Sequence, residues 1–271
     1  MRRWASRLCL LLGLCASAPA AAKDLQICVS DRELPPLTFP DRDGQAQYLI
    51  RRAAAQIEWR VEFVALPWRR CLQAAISGEL EGVATVAATA ELRRSLALPL
   101  HHGGEDPARA LGEIDTVVIK RRDSRVAWDG ARFSGLHSPV QHEAGLSALG
   151  ARLKQLGLPA RDIAHSPEQL LHMLVQRRAE VALVLEPRAG ELLARPEFQA
   201  LQRLPEPFLQ RHIYLGFNRV FYRRERKALQ RIWQEIGHTR GSEEWRALGP
   251  RIYPGWRNPV PPRPGGGGHR P

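Results

Sequence analysis

The chain has 271 residues, of which 44% are hydrophobic and 25% charged, with a formal net charge of +12. That length suffices for one large α/β domain or for two smaller lobes with separate cores. The charge alone would suit a nucleic-acid binder, but the arginines come as scattered pairs (Arg51-Arg52, Arg69-Arg70, Arg93-Arg94, Arg121-Arg122, Arg177-Arg178, Arg223-Arg224) without a dense basic run or interleaved aromatics, so no nucleic-acid partner is expected.

The arginine pairs read as solvated helix faces, with attraction to acidic ligands or an anionic membrane surface as the alternative. Residues 1–22 carry Arg2, Arg3 and Arg7, an apolar run through Leu14 and the small residues Ala20-Ala21-Ala22, the layout of a cleaved secretory signal. A periplasmic location is therefore expected. The apolar run is too short for a membrane span, and no later stretch approaches about 20 consecutive apolar residues. Leu14 stands before Cys15, where lipoprotein signals have a small residue, which argues against lipidation. Cleavage would leave Cys28 and Cys71. In an oxidising compartment an even pair predicts a disulfide, and two buried free thiols are the alternative.

Strand and helix patterns alternate along the rest. Residues 25–30 read as a strand, and 45–59 as a helix with Leu49, Ala53 and Ile57 on one face. Residues 61–66 form a strand, followed by a helix that opens at Pro67 and presents Trp68, Leu72, Ala75 and Ile76 before stopping at Gly78. A short apolar strand follows at 82–86. This βαβαβ order predicts a parallel sheet covered by helices. After a crossing strand at 114–120 come a short strand at 135–140 and a helix at 144–156 closed by Gly157. The run Ser166-Pro167-Glu168-Gln169 is a capping box with proline at the first helical position, so a helix starts there and turns Leu170, Leu171 and Leu174 inward. A buried strand at 181–185, a helix at 187–194, a returning strand at 212–217 and a long helix lined by Leu229, Ile232, Trp233 and Ile236 complete the pattern.

The order of elements and the phrases LPWRRCLQAAISGELEGVA, LLHMLVQRRAEVALV and HIYLGFNR resemble the periplasmic solute-binding proteins of type II fold, family 3, the polar amino-acid-binding type. The resemblance spans about 24–253. It implies an α/β protein of two lobes, each a mostly parallel sheet flanked by helices, joined by two crossing strands and closing over a ligand by hinge motion. Lobe one would comprise 23–113 and 212–256, and lobe two 114–211. The implied partners are a small polar solute, amino-acid-like or an organic anion, and a membrane permease or sensor protein. The chain itself is expected to be a monomer.

Carried over residue by residue, the resemblance marks Phe39 as an aromatic wall of the cleft and Thr89-Ala90-Glu91-Leu92-Arg93 as the counterpart of a Thr-x-Glu-Arg motif whose arginine grips a carboxylate. The register departs here: Leu92 stands where the arginine belongs, and Arg93 is displaced by one residue, about 100° on a helix. Ser138 matches an anion-holding turn, although Pro139 removes one N–H donor. Glu186 lies near an acid that meets the ligand's amino group. The candidate ligand set is thus Phe39, Thr89, Arg93, Ser138 and Glu186.

Catalytic and metal readings have little support. His101, His102, His137 and His142 lack ligand spacing, and no Gly-x-Ser-x-Gly elbow exists. No cofactor, no metal and no enzymatic activity are expected; a dehydratase-like enzyme is the minor alternative, and a sensory or scaffold protein that has lost its ligand is another. The Pro- and Gly-rich segment 257–271 reads as a disordered tail.

Overall fold

The computed structural model describes residues 23–186 and 188–252, so the expected signal segment 1–22 and tail 257–271 lie outside the described residues. Strand β1 (Asp24–Ser30) leads through a loop to α1 (Gln45–Ala55), β2 (Arg60–Leu66), α2 (Trp68–Ser77) and β3 (Gly82–Ala87). Helix α1 ends four residues before the expected boundary because the chain tightens there. Ile57, Glu58 and Trp59 bond back to Ala54 and Ala55 carbonyls, and Glu58 takes a positive φ of 58°. Helix α2 ends at Gly78, whose φ of 87° is the left-handed cap that glycine adopts without strain. Asn218 packs against this turn and donates its Nδ2 to the Ala75 and Ile76 carbonyls at 3.0 and 3.1 Å.

Next come α3 (Ala90–Ser95), β4 (Leu96–Ala97), the hairpin β5 (Leu100–His101) and β6 (Gly104–Glu105), and the long β7 (Gly112–Arg121). A second hairpin, β8 (Ala127–Trp128) and β9 (Phe133–Ser134), precedes β10 (Val140–Glu143). The strand expected at 135–140 therefore begins later. The Glu180 carboxylate accepts the His137 and Ser138 amides at 2.7 and 2.8 Å, which occupies donors a strand ladder would need. Helix α4 (Ser147–Gln155) likewise starts after Gly145, whose φ is 90°.

Beyond β11 (Ala160–Ala164) lies α5 (Pro167–Val175), where Ser166 Oγ accepts the Gln169 amide at 3.2 Å as a cap. The reciprocal arm differs from the expected box: Gln169 Oε1 accepts from His165 N–H at 2.9 Å, one residue earlier. The chain continues through β12 (Val181–Leu185), α6 (Arg188–Leu193), β13 (Leu201–Arg203), β14 (Leu209–Asn218), α7 (Arg219–Arg224), α8 (Arg226–Gly241) and α9 (Glu243–Ile252).

The main sheet runs β11-β10-β12-β7-β14-β3-β1-β2, with β13 added on β7 and β4 on β14. Strands β7 and β14 belong to both halves. Their first halves pair with each other, from Gly112↔Ile213 to Thr116↔Leu209. The rest of β7 then pairs with β12, and the rest of β14 with β3.

Alternation along the strands gives each half two core layers. In one half, Leu25, Ile27, Leu215 and Phe217 pack with α1 and α8, whereas Cys28, Val83 and Tyr214 pack with α2. In the other, Val117, Ile119, Ala182 and Val184 face α5 and α6, whereas Val118, Val181 and Leu183 face α4 and the Trp128 hairpin. Among the described residues the buried apolar side chains thus fall into four layers, two in each half. The expected disulfide is present: Cys28 on β1 and Cys71 on α2 are bonded at 2.00 Å, and both are fully buried.

Candidate functional site

Register fixes where a site can form. Strands β1, β2 and β3 are parallel, and the carboxyl end of β3 lies at Ala87↔Ile213. Strands β10, β11 and β12 are parallel too, and the carboxyl end of β12 lies at Leu185↔Thr116. Ile213 and Thr116 bound the segment where β7 and β14 pair. Both sets of strands therefore end toward the same crossing, and the loops beyond those ends meet there. In open α/β sheets this is the edge where ligands bind.

Side chains from the two halves meet at this crossing. Arg32, two residues past β1, donates Nη1 to Glu143 Oε1 at 2.9 Å and to the His165 carbonyl. Arg69, in the first turn of α2, packs against Gly145: a Cβ there would lie 3.7 Å from its Nε. Burial raises the Glu143 carboxyl above the ordinary glutamate range; the Arg32 charge and hydrogen bond oppose the rise, and Glu168 adds to it. Burial also acts upward on Glu168, but hydrogen bonds and the Arg188 charge outweigh it and leave that carboxyl below its ordinary range. At the crossing, burial raises Asp115 despite the hydrogen bond from Gln210 and the nearby Arg203 charge.

The five expected ligand residues do not form one cluster. Thr89 lies just past the end of β3, where its Oγ1 caps α3 by accepting the Leu92 amide at 3.3 Å. Glu186 lies just past β12, and its carboxylate holds Arg203 at 2.6 Å and the Gly190 amide at 3.2 Å. Phe39 follows β1 but is buried, with the Arg42 guanidinium 3.8 Å above its ring. Its backbone is clamped by Gln47, which accepts from the Phe39 amide at 3.0 Å and donates to the Phe39 carbonyl at 2.9 Å. Ser138 precedes the amino end of β10, the edge away from the crossing, and its amide is taken by Glu180. Arg93 lines a different groove, with Arg219 and Tyr222. The helical rotation explains this: Leu92 is turned into the core beside α2, and Arg93 emerges on another face.

Arg32, Glu143 and His165 were not singled out by sequence. Glu143 is the last residue of a strand that starts five residues later and ends three residues later than the expected 135–140, and Arg32 follows Ser30-Asp31 without a motif. Trp68 packs on the α2-side core, as its helical spacing predicts. Among the described residues no group of three or more metal-ligating side chains converges, and no helix is long and apolar enough to cross a membrane.

No protein-family model matches the chain, and no curated protein matches it. Solved structures do. The GluR0 ligand-binding core from Nostoc punctiforme in complex with L-glutamate is 14% identical, covers 84% of this chain and 99% of its own, and superposes with a TM-score of 0.63. A histidine kinase sensor domain with similarity to periplasmic binding proteins gives 16%, 86%, 96% and 0.65 in the same order. The substrate-binding protein of an amino acid ABC transporter gives 13%, 85%, 99% and 0.63. At these identities the likeness establishes the fold: this is a two-lobed α/β protein of the type II periplasmic binding fold.

Proposed function

We propose that the protein is a solute-binding protein that captures a small polar solute between its lobes and presents it to a membrane permease or sensor. The observation that carries the reading is the cross-lobe contact at the strand ends, where Arg32 from one half grips Glu143 and His165 from the other. A single exposed ion pair between the halves is a contact that a hinge motion could break and remake, which supports this reading. We further propose that lobe one comprises 23–113 and 212–256 and lobe two 114–211, that a signal at 1–22 directs export to the periplasm, and that the chain acts as a monomer.

With Leu92 in the arginine register, the solute's anionic group would be met by Arg32 and Arg69. Thr89 and Glu186, just past β3 and β12, are the further candidates for contact with it. A thermal-shift screen over amino acids, amines and organic acids tests this: binding to the folded state raises the melting temperature. A hit abolished by Arg69→Ala supports the cleft, and absence of any hit across these classes counts against solute capture. The sensory alternative draws on the same vacated arginine register and on the sensor-domain neighbour. Its mark would be association with a kinase or cyclase that does not depend on a permease.

A further inference from the structure

Among the described residues, arginines without acidic partners collect at the far end of lobe one. Arg219 and Arg223 on α7 and Arg93 on α3 rim a groove floored by Leu96, Leu98, Leu100 and Tyr222. Arg93 Nη1 donates to the Gly103 carbonyl at 3.2 Å, and Arg219 donates to the Arg93 carbonyl, so the rim is held by backbone oxygens rather than carboxylates. Among the described residues none of Arg93, Arg219 and Arg223 makes an ion pair, whereas their neighbour Arg224 pairs with Glu225 at 3.3 Å. Apolar surface accompanies the charge. Leu100 is 39% exposed, and Val220, on the same short helix as Arg219 and Arg223, is 63% exposed.

We propose that this groove docks an acidic segment of a protein partner, with an apolar side chain of that segment seated on the leucine floor and its carboxylates on the three arginines. Size and shape favour a side-chain anchor. The groove holds about 260 Å³, below the roughly 300–1,000 Å³ typical of sites that enclose a small molecule. It is concave, whereas a lipid surface would ask for a flat or convex basic face. Arginine-rimmed apolar floors are the chemistry of interface anchors, since arginine binds carboxylates through two parallel donors and keeps an apolar stem for packing.

Position gives the groove a role separate from solute capture. Its strand residues, Leu96 and Ala97, pair with Asn218 and Phe217. Those lie four and five residues along β14 from Ile213 at the crossing, roughly 13–17 Å at strand rise. The groove is built wholly from one half, so it keeps its shape whether the lobes are open or closed. A partner held there would stay attached through cycles of loading and release.

The test uses the full chain and a fluorescein-labelled eight-residue peptide with leucine and phenylalanine at the centre of six acidic residues, read by fluorescence polarisation. Saturable binding is expected, weakened about tenfold or more by Arg219→Glu/Arg223→Glu, equivalent to 1.4 kcal/mol or more. It should also fall when the two apolar peptide residues become serine, and with rising salt. Arg161→Glu, on an exposed strand of the other half, should change it less than about twofold. If the charge-reversed variant does not fold, Arg93→Gln and Leu100→Asp carry the same comparison, with circular dichroism as the check on folding. The proposal is overturned by absence of binding, by equal binding of the serine peptide, or by an equal loss in Arg161→Glu. It is also overturned if phosphatidylglycerol vesicles bind the chain with the same sensitivity to these variants while the peptide does not, since the face would then be a lipid contact.

Discussion

The buried Cys28–Cys71 bridge tests whether the two halves are energetically separate. It closes a loop with a sequence separation of 43 residues. In the chain-entropy account a loop of that size stabilises the folded state by about 4 kcal/mol. The bridge ties β1 to α2 and touches only the core layers of one half. Replacing both residues, Cys28→Ala/Cys71→Ala, should therefore destabilise that half by about 4 kcal/mol, with a further loss from vacated sulfur volume. With a urea slope of roughly 2 kcal/mol per molar, the unfolding midpoint of that half falls by about 2 M. Hydrogen exchange resolved by mass spectrometry places the loss. Amides in 24–30 and 60–87 should lose protection, while those in 140–143 and 181–185 keep it. Equal loss in both halves would mean that they unfold as one unit, and the reasoning from separate cores would fail. An unchanged midpoint would reject the bridge as a stabiliser.

Two further predictions concern the contact between the halves. Arg32→Ala removes a pair whose arginine side chain is 60% exposed, so on the proposed hinge it should favour opening by only about 0.2–1 kcal/mol; spin-label distances between the lobes should broaden toward longer values, and an unchanged distribution would refute a role of this contact in holding the lobes together. The folded Glu143 carboxyl lies above its ordinary value of 4.5, so the folded state holds this proton at pH values where the unfolded chain has lost it. Its contribution to stability is present below 4.5 and is lost as pH rises through the raised value. Glu143→Gln should flatten that fall in a pH series of urea midpoints, and an identical slope in the variant would count against burial as the cause.

Legibility in the sequence followed the range of the interactions. The βαβαβ order, the α2 stop at Gly78 and the α5 start at Ser166 depend on periodicity and on caps made within a few residues, so they could be read directly. Helix α1 ended early through a tight turn at Glu58, a non-glycine at positive φ, which carries no composition signal. The β10 boundary moved because Glu180, more than forty residues downstream, takes the Ser138 amide. The bridging contact was hidden for the same reason. Arg32 reaches Glu143 and His165 across separations of 111 and 133 residues, and no local pattern encodes a meeting at that distance.

The vacated arginine register is where a familiar motif and the physics of this chain part most sharply. Leu92 is 7% exposed and packs with Cys71, Ala75, Leu96 and Tyr214 in the core layer beside α2. The position is committed to packing, so restoring the motif's residue type should not restore its chemistry. Leu92→Arg would drive a guanidinium into an apolar layer, at a cost of about 3 kcal/mol or more. The expected outcome is a lowered urea midpoint and no gain in affinity for any amino acid by calorimetry. A folded variant with an unchanged midpoint and new amino-acid binding would show that the helix can turn this position toward the gap, and that Arg32 and Arg69 are not the groups on which an anionic solute must rely.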